Sequence, residues 1–155
     1  MRLLVDTNVI IDALQDRHPF AESAQKLLVL GRIKEFDLWM SISQLTDAFY
    51  VLTDGGKPSK ARGAKQRLLH VLEGVRICSL SEDDGKAALC STWSDFEVAC
   101  VYQAALKIKA DAIITRNKKD FERSSIRVFD CDEFFVFLKE EKGLAYEEIS
   151  FSSLR

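Results

Sequence analysis

Histidine is scarce, with only His18 and His70, and the four cysteines (Cys78, Cys90, Cys100 and Cys131) are scattered without a C-x-x-C pair. Zinc-type ligand spacing is therefore excluded. The cysteines read instead as buried free thiols in a reducing compartment. No apolar run approaches the ~20 residues of a membrane span. The apolar start Met1–Val5 is cut short by Asp6, so a signal peptide is not expected either. The expected location is cytoplasmic. An excess of one charge is also missing: 22 Lys and Arg face 24 Asp and Glu, for a net charge of −2. Such a balance gives no overall pull towards nucleic acid or an anionic membrane. A polyanionic partner would need basic residues gathered locally, and metal ions to offset the acids. Internal repeats, low-complexity segments and linkers are absent from the 155 residues. That length is one domain's worth of chain, and a domain of this size buries roughly 70% of its unfolded surface.

The pattern that is present begins at the first dozen residues. Leu3-Leu4-Val5 is a short apolar run, Asp6 ends it, and Val9, Ile10, Ala13 and Leu14 recur at helical spacing. This predicts strand, acidic turn and helix. Asp6 has two readings, a helix cap or a carboxylate held at a strand end, where open α/β sheets do their chemistry. Further strands are expected at Asp37–Ile42, Val75–Cys78, Ala110–Thr115 and Ile126–Phe129, separated by helices. Pro19 is expected to open a helix that Gly31 ends, and Ser43, Ser59, Ser81 and Ser94 to cap later ones. Strands alternating with helices predict an α/β fold with a mainly parallel sheet covered on both faces. The expected division is one domain over residues 1–140, with a tail at 141–155.

Asp6, Asp47, Asp95 and the Asn117–Asp120 loop each fall just after a strand or in a first helical turn. A parallel sheet can bring them to one rim. Carboxylates crowded together repel, and at least one takes up a proton unless a cation intervenes. Magnesium and manganese prefer such oxygen ligands, together with water and phosphate. Acids without a His/Cys cluster therefore favour phosphodiester hydrolysis over zinc chemistry, without fixing that reaction. Asp12 reads as a surface or ion-pair residue, and Asp111 and Asp130 as turn residues.

These same stretches carry a family resemblance. Leu4-Val5-Asp6-Thr7-Asn8-Val9-Ile10-Ile11-Asp12 resembles the first motif of PIN-domain ribonucleases, which include toxins of bacterial toxin–antitoxin pairs. Ser41–Asp47 resembles the segment of the second acid, Asp95–Ala99 the third-acid motif, and Ile113–Phe121 the late strand–loop motif. The resemblance runs in order from about Leu3 to Leu138. It implies a three-layer α/β/α sandwich and an endoribonuclease dependent on Mg²⁺ or Mn²⁺. Asp6, Asp47 and Asp95 would be metal-site acids, and Asp120 a fourth acid or a water-mediated support. Asn117 would offer a neutral oxygen, and Thr7, Asn8 and Thr115 would support the site. A small antitoxin and a homodimer are implied as partners. Two positions depart from the family pattern. The second acid is usually glutamate, one methylene longer than Asp47. Val98 stands where some relatives carry another acid, leaving Glu97 beside it as a substitute.

RNA contact would draw on Lys57, Lys60, Arg62, Lys65 and Arg67, and on Arg116, Lys118, Lys119 and Arg123. Each of these also reads as a solvated helix or loop residue. Trp39 and Trp93 read either as base-stacking platforms or as core. The competing function is a degenerate PIN domain that binds RNA or protein without cleavage. A phosphotransfer fold is a third reading, but Asn8 stands where its second nucleophile-motif aspartate belongs.

Overall fold

The computed structural model describes residues 1–146. Five strands, β1 (Arg2–Val5), β2 (Asp37–Ser41), β3 (Val75–Cys78), β4 (Ala112–Ile114) and β5 (Arg127–Phe129), form one sheet in the order β3-β2-β1-β4-β5. Every pairing is parallel, with Leu3 level with Leu38 on one side and Ala112 on the other. Seven helices pack around it: α1 (Thr7–Leu14), α2 (Ala21–Arg32), α3 (Ile42–Leu52), α4 (Pro58–Val71), α5 (Glu82–Leu89), α6 (Phe96–Lys107) and α7 (Cys131–Lys142). A 3-10 turn spans Lys118–Phe121. The chain winds from β1 outward to β3, then returns to β4 on the other side of β1. That reversal creates a crevice beyond the carboxyl ends of β1 and β4, where parallel sheets bind ligands.

The alternation of side chains along each strand divides the core into layers. Leu3, Val5, Leu38, Met40, Ala112 and Ile114 meet α1, α2 and α7 on one face. Leu4 and Ile113 point the other way, against Val101, Ala104 and Ala105 of α6 and Ile108 just after it. Ala104 and Ala105 are fully buried in that layer. A smaller cluster joins Ile11 of α1 to Ala48 and Leu52 of α3 and Ala64 and Leu68 of α4. The predicted three-layer α/β/α arrangement is thus present, with a wholly parallel sheet.

Several helix boundaries differ from the sequence expectation. Ser41 rather than Ser43 caps α3: its hydroxyl accepts the Gln44 N–H while Gln44 Oε1 accepts the Ser41 N–H at 2.8 Å. The helix consequently begins at Ile42, and Asp47 lies in its second turn, not its first. Lys57 precedes α4, with Pro58 in its first turn, and Asp95 itself rather than Ser94 caps α6. Ser81 caps α5 as expected. Pro19 stands before α2, which begins at Ala21. Gly31 does not end α2 but lies buried inside it. A Cβ there would overlap the Leu38 side chain and come within 3.1 Å of the Gly74 carbonyl oxygen, so glycine serves close helix–sheet approach rather than termination.

Among the cysteines, Cys78 and Cys131 are buried, but Cys90 is exposed and Cys100 half-buried; all four are free. Helix α7 runs to Lys142 and is closed by Gly143 at φ 65°, a left-handed cap. Tyr146 then folds back, its hydroxyl donating to Glu35 Oε1 at 2.6 Å. The rest of the expected tail, residues 147–155, lies outside the described residues. Among the described residues, no helix is long and apolar enough to cross a membrane.

Candidate functional site

Strand β1 is buried on both faces and delivers Asp6 to the rim at its carboxyl end. The Asp6 N–H continues the ladder to the Ile114 carbonyl at 2.9 Å. Its side chain is held by three donors. Oδ1 accepts the Thr7 N–H at 2.7 Å, and Oδ2 accepts from Asn8 Nδ2 and Thr115 Oγ1, each at 2.7 Å. Asn8 Oδ1 in turn accepts the Arg116 N–H at 3.1 Å, and Thr115 Oγ1 the Asn117 N–H at 3.0 Å. The ends of β1 and β4 are stitched together through the Asp6 carboxylate. Asp6 therefore caps α1 and also faces the crevice.

The crevice has a volume of about 470 Å³. Asp6, Asp47, Asp95, Glu97 and Asp120 all line it, with Thr7, Asn8 and Asn117 beside them. Thr115 is buried behind, acting on Asp6 by its hydrogen bond. Asp95 accepts the Val98 N–H at 3.1 Å, which fixes it at the start of α6. Asp120 arrives on the 3-10 turn after β4. Four aspartates separated by up to 114 residues (120 − 6) thus share one cavity.

The electrostatics follow from this crowding. Burial pushes the Asp6 carboxyl up, against the hydrogen bonds from Thr115, Thr7 and Asn8, and the charge of Asp120 adds to the rise. Burial also raises Asp47. Glu97 is raised by burial first, then by the negative charges of Asp47, Asp6 and Asp95. No Lys, Arg or His among the described residues forms an ion pair with any of these five acids.

The donors suit a hard divalent cation: they are all oxygens, carry uncompensated charge, and include Thr7 Oγ1, which is buried without a hydrogen-bond partner. Among the described residues, however, no three His, Cys, Asp or Glu side chains lie close enough together to hold a metal ion by themselves. The acids ring a wide crevice, so an ion there would complete its shell with water or substrate oxygens, as Mg²⁺ commonly does.

The predicted basic residues lie elsewhere. Lys60, Arg62 and Lys65 are exposed on α4, and Lys60 pairs with Asp54. Lys118 pairs with Glu133 and Asp130, Lys119 is exposed, and none of these lines the crevice. Arg116 turns inward: its Nη1 lies 3.4 Å from Asp12 Oδ1 and its guanidinium 4.7 Å from the centre of the Phe20 ring. Asp12 is thus a buried ion-pair residue, 1% exposed, not a surface one. Burial raises its carboxyl, and Arg116 and then Arg17 oppose that. Trp39 is half-buried under Arg76, and Trp93 packs on Tyr102 and Phe121 at ring distances of 5.0 and 6.1 Å. Glu97 and Arg17 complete the crevice's charged lining. Glu97 had a signal in the sequence, next to Val98; Arg17, in a short polar break between helices, had none.

A wholly parallel α/β/α sandwich with an acidic crevice at its switch point places that crevice where folds of this class bind their ligands. The chain belongs to the PIN domain family, whose profile matches residues 2–119. Solved structures share the fold. A chain of VapBC2 from Rickettsia felis, bound to a DNA fragment from its promoter, superposes with a TM-score of 0.62 at 17% identity, covering 84% of this chain and 98% of that one. A toxin–antitoxin complex from Klebsiella pneumoniae gives 0.62 at 20% identity, covering 83% and 97%. VapC20 from Mycobacterium tuberculosis, a Sarcin-Ricin loop cleaving toxin, gives 0.58 at 14%, covering 81% and 98%. Comparison with curated protein sequences finds no match.

Proposed function

We propose that this chain is a Mg²⁺- or Mn²⁺-dependent endoribonuclease that cuts RNA phosphodiester bonds in the Asp6 crevice, as the toxin of a toxin–antitoxin pair. The observation that carries the proposal is the convergence of Asp6, Asp47, Asp95, Glu97 and Asp120, none with an ion-pair partner among the described residues, in one crevice of a PIN-family chain. Asp6, Asp47 and Asp95 would hold the metal, supported by Asp120 and Glu97. When bound, the metal supplies activation of water and stabilisation of charge on the phosphate. The chain's own part is orientation. Thr115, Asn8 and the Thr7 N–H fix both oxygens of Asp6, so that its carboxylate is held ready. Asn117 and the Thr7 hydroxyl offer neutral oxygens at the rim.

The structural neighbours support the biological reading: one is a toxin–antitoxin complex, and one is a toxin that cleaves the Sarcin-Ricin loop. A small antitoxin and self-association into a homodimer in the cytoplasm belong to the same proposal. The test is cleavage of a mixed pool of structured RNA with Mg²⁺, Mn²⁺ or EDTA, by wild type and Asp6→Asn in parallel. Wild type is expected to cut only with metal. The variant is expected to lose at least about a hundredfold, the scale set by removing a group that orients a reacting centre. Full activity in Asp6→Asn would defeat the assigned site. A second reading is favoured by the short acid at Asp47, by Val98, and by the open spacing of the acids. It makes the chain an RNA- or protein-binding module, and RNA binding without metal-dependent cleavage would establish it.

A further inference from the structure

Among the described residues, Arg17 is the one basic residue that lines the crevice. Its backbone is fixed on both sides. The Arg17 N–H donates to the Asp12 carbonyl at 3.0 Å, and the Arg17 carbonyl accepts from Phe20 and Ala21, each at 2.9 Å. Its side chain is exposed and makes no hydrogen bond, ion pair or ring contact with any described residue. The contrast with Arg116 is informative. Arg116 comes from the loop beside Asn117, yet Asp12 and Phe20 occupy its guanidinium. Arg116 is therefore the close cation of Asp12, and Arg17 acts on Asp12 through its charge alone, without an ion pair. Nor does Arg17 neutralise the crevice: the acids there have no ion-pair partner although they share the cavity with it.

An anchored backbone that holds an unengaged guanidinium at the edge of an acidic, cation-seeking crevice is arranged for an anion that spans both. We propose that Arg17 is a substrate-binding residue, whose guanidinium grips an RNA phosphate next to the one held over the Asp6–Asp95 acids. Arg suits that role through its planar fork of donors, which pairs bidentately with phosphate oxygens. The assignment rests on the crevice being an RNA site. It gives the site a direction, because RNA would enter past the turn between α1 and α2 and run towards α6. The basic residues of α4 do not line the crevice.

The experiment measures binding of a short labelled single-stranded oligoribonucleotide to Asp6→Asn protein in Mg²⁺, between about 50 and 200 mM salt. It is repeated with Arg17→Gln or Arg17→Lys added, and circular dichroism checks that each variant is folded. Arg17→Gln is expected to weaken binding about tenfold or more at low salt. The slope of log K against log salt should become shallower by about 0.7, the value of one phosphate contact on a single strand. Arg17→Lys should keep the slope and lose part of the affinity. An unchanged slope in Arg17→Gln, or no RNA binding before the substitution is made, overturns the assignment. Wild-type cleavage measured alongside separates the two proposals. Metal-dependent cutting with an unchanged Arg17 slope leaves the nuclease and removes Arg17. A changed slope without cutting keeps Arg17 and removes the nuclease.

Discussion

Glu97 condenses the chemistry of the crevice into one side chain. Burial and the charges of Asp47, Asp6 and Asp95 all oppose its ionisation, so its folded pKa lies above its ordinary value. The native state then holds a proton that the unfolded chain has released. Stability falls as pH rises from the ordinary glutamate range through the raised folded value, and the loss persists above it. Glu97→Gln is therefore expected to stabilise the metal-free protein slightly at neutral pH, the gain kept small because Glu97 is exposed and solvent screens the repulsion. The gain should vanish below about pH 4, where the glutamate is protonated in both states. Thermal unfolding at the two pH values checks this, and a loss of stability at neutral pH would show that Glu97 has an attractive partner. Asp6 and Asp47 were readable as site candidates because they follow apolar strand runs in a family-like context. Arg17 and the buried role of Asp12 were not. Nothing in Asp12-Ala13-Leu14-Gln15-Asp16-Arg17 marks which acid turns inward or which base stays free.

At the scale of elements, the joint between β1 and α3 sets the geometry of the rim. Gln44 is fully buried; its Oε1 closes the capping box on Ser41, and its Nε2 donates to the Val5 carbonyl at 3.0 Å. That bond ties the residue before Asp6 to the first turn of the helix that carries Asp47. Gln44→Leu keeps the bulk but leaves the Val5 carbonyl and the Ser41 N–H without their partner. It is expected to cost about 1–3 kcal/mol, read as a lower denaturant midpoint with an unchanged slope. RNA cleavage should fall as well, since Asp6 and Asp47 lose their shared brace. Wild-type stability in this variant would mean that the rim is held otherwise. The strands and helices were legible from periodicity, but this joint was not. The sequence pattern put the cap at Ser43, and it falls to Ser41 because Gln44, one turn on, reaches both the cap and the neighbouring strand.

For the whole molecule, the crevice exists because the sheet reverses its winding between β1 and β4. Acids from α3, α6 and the 3-10 turn then meet Asp6 only in the folded state. A cation that binds this constellation binds the native chain alone and stabilises it through RT ln(1 + [L]/Kd). At a hundredfold excess over Kd that is ~2.7 kcal/mol, or a rise in Tm of about 5 °C or more for a domain of this size. Mg²⁺ or Mn²⁺ is expected to produce such a rise at neutral pH, and EDTA to reverse it. Asp6→Asn should blunt it. The effect should shrink at acid pH, where protons occupy the raised carboxyls of Asp6, Asp47 and Glu97. An identical Tm with metal and with EDTA would show that the crevice does not hold the ion.

The sequence by itself determined the layers and the family. Continuous apolar strands such as Leu3-Leu4-Val5 and Ala112-Ile113-Ile114 are stable only when covered on both faces, and helices with one apolar stripe supply the cover. It also named the four aspartates, because each stands beside such an element. Tertiary structure alone decided their company. Whether Arg116 or Arg17 faces the acids depends on which way each guanidinium turns, and that depends on the buried Asp12 carboxylate. Such choices arise from contacts between residues far apart in the chain, where local periodicity carries no information.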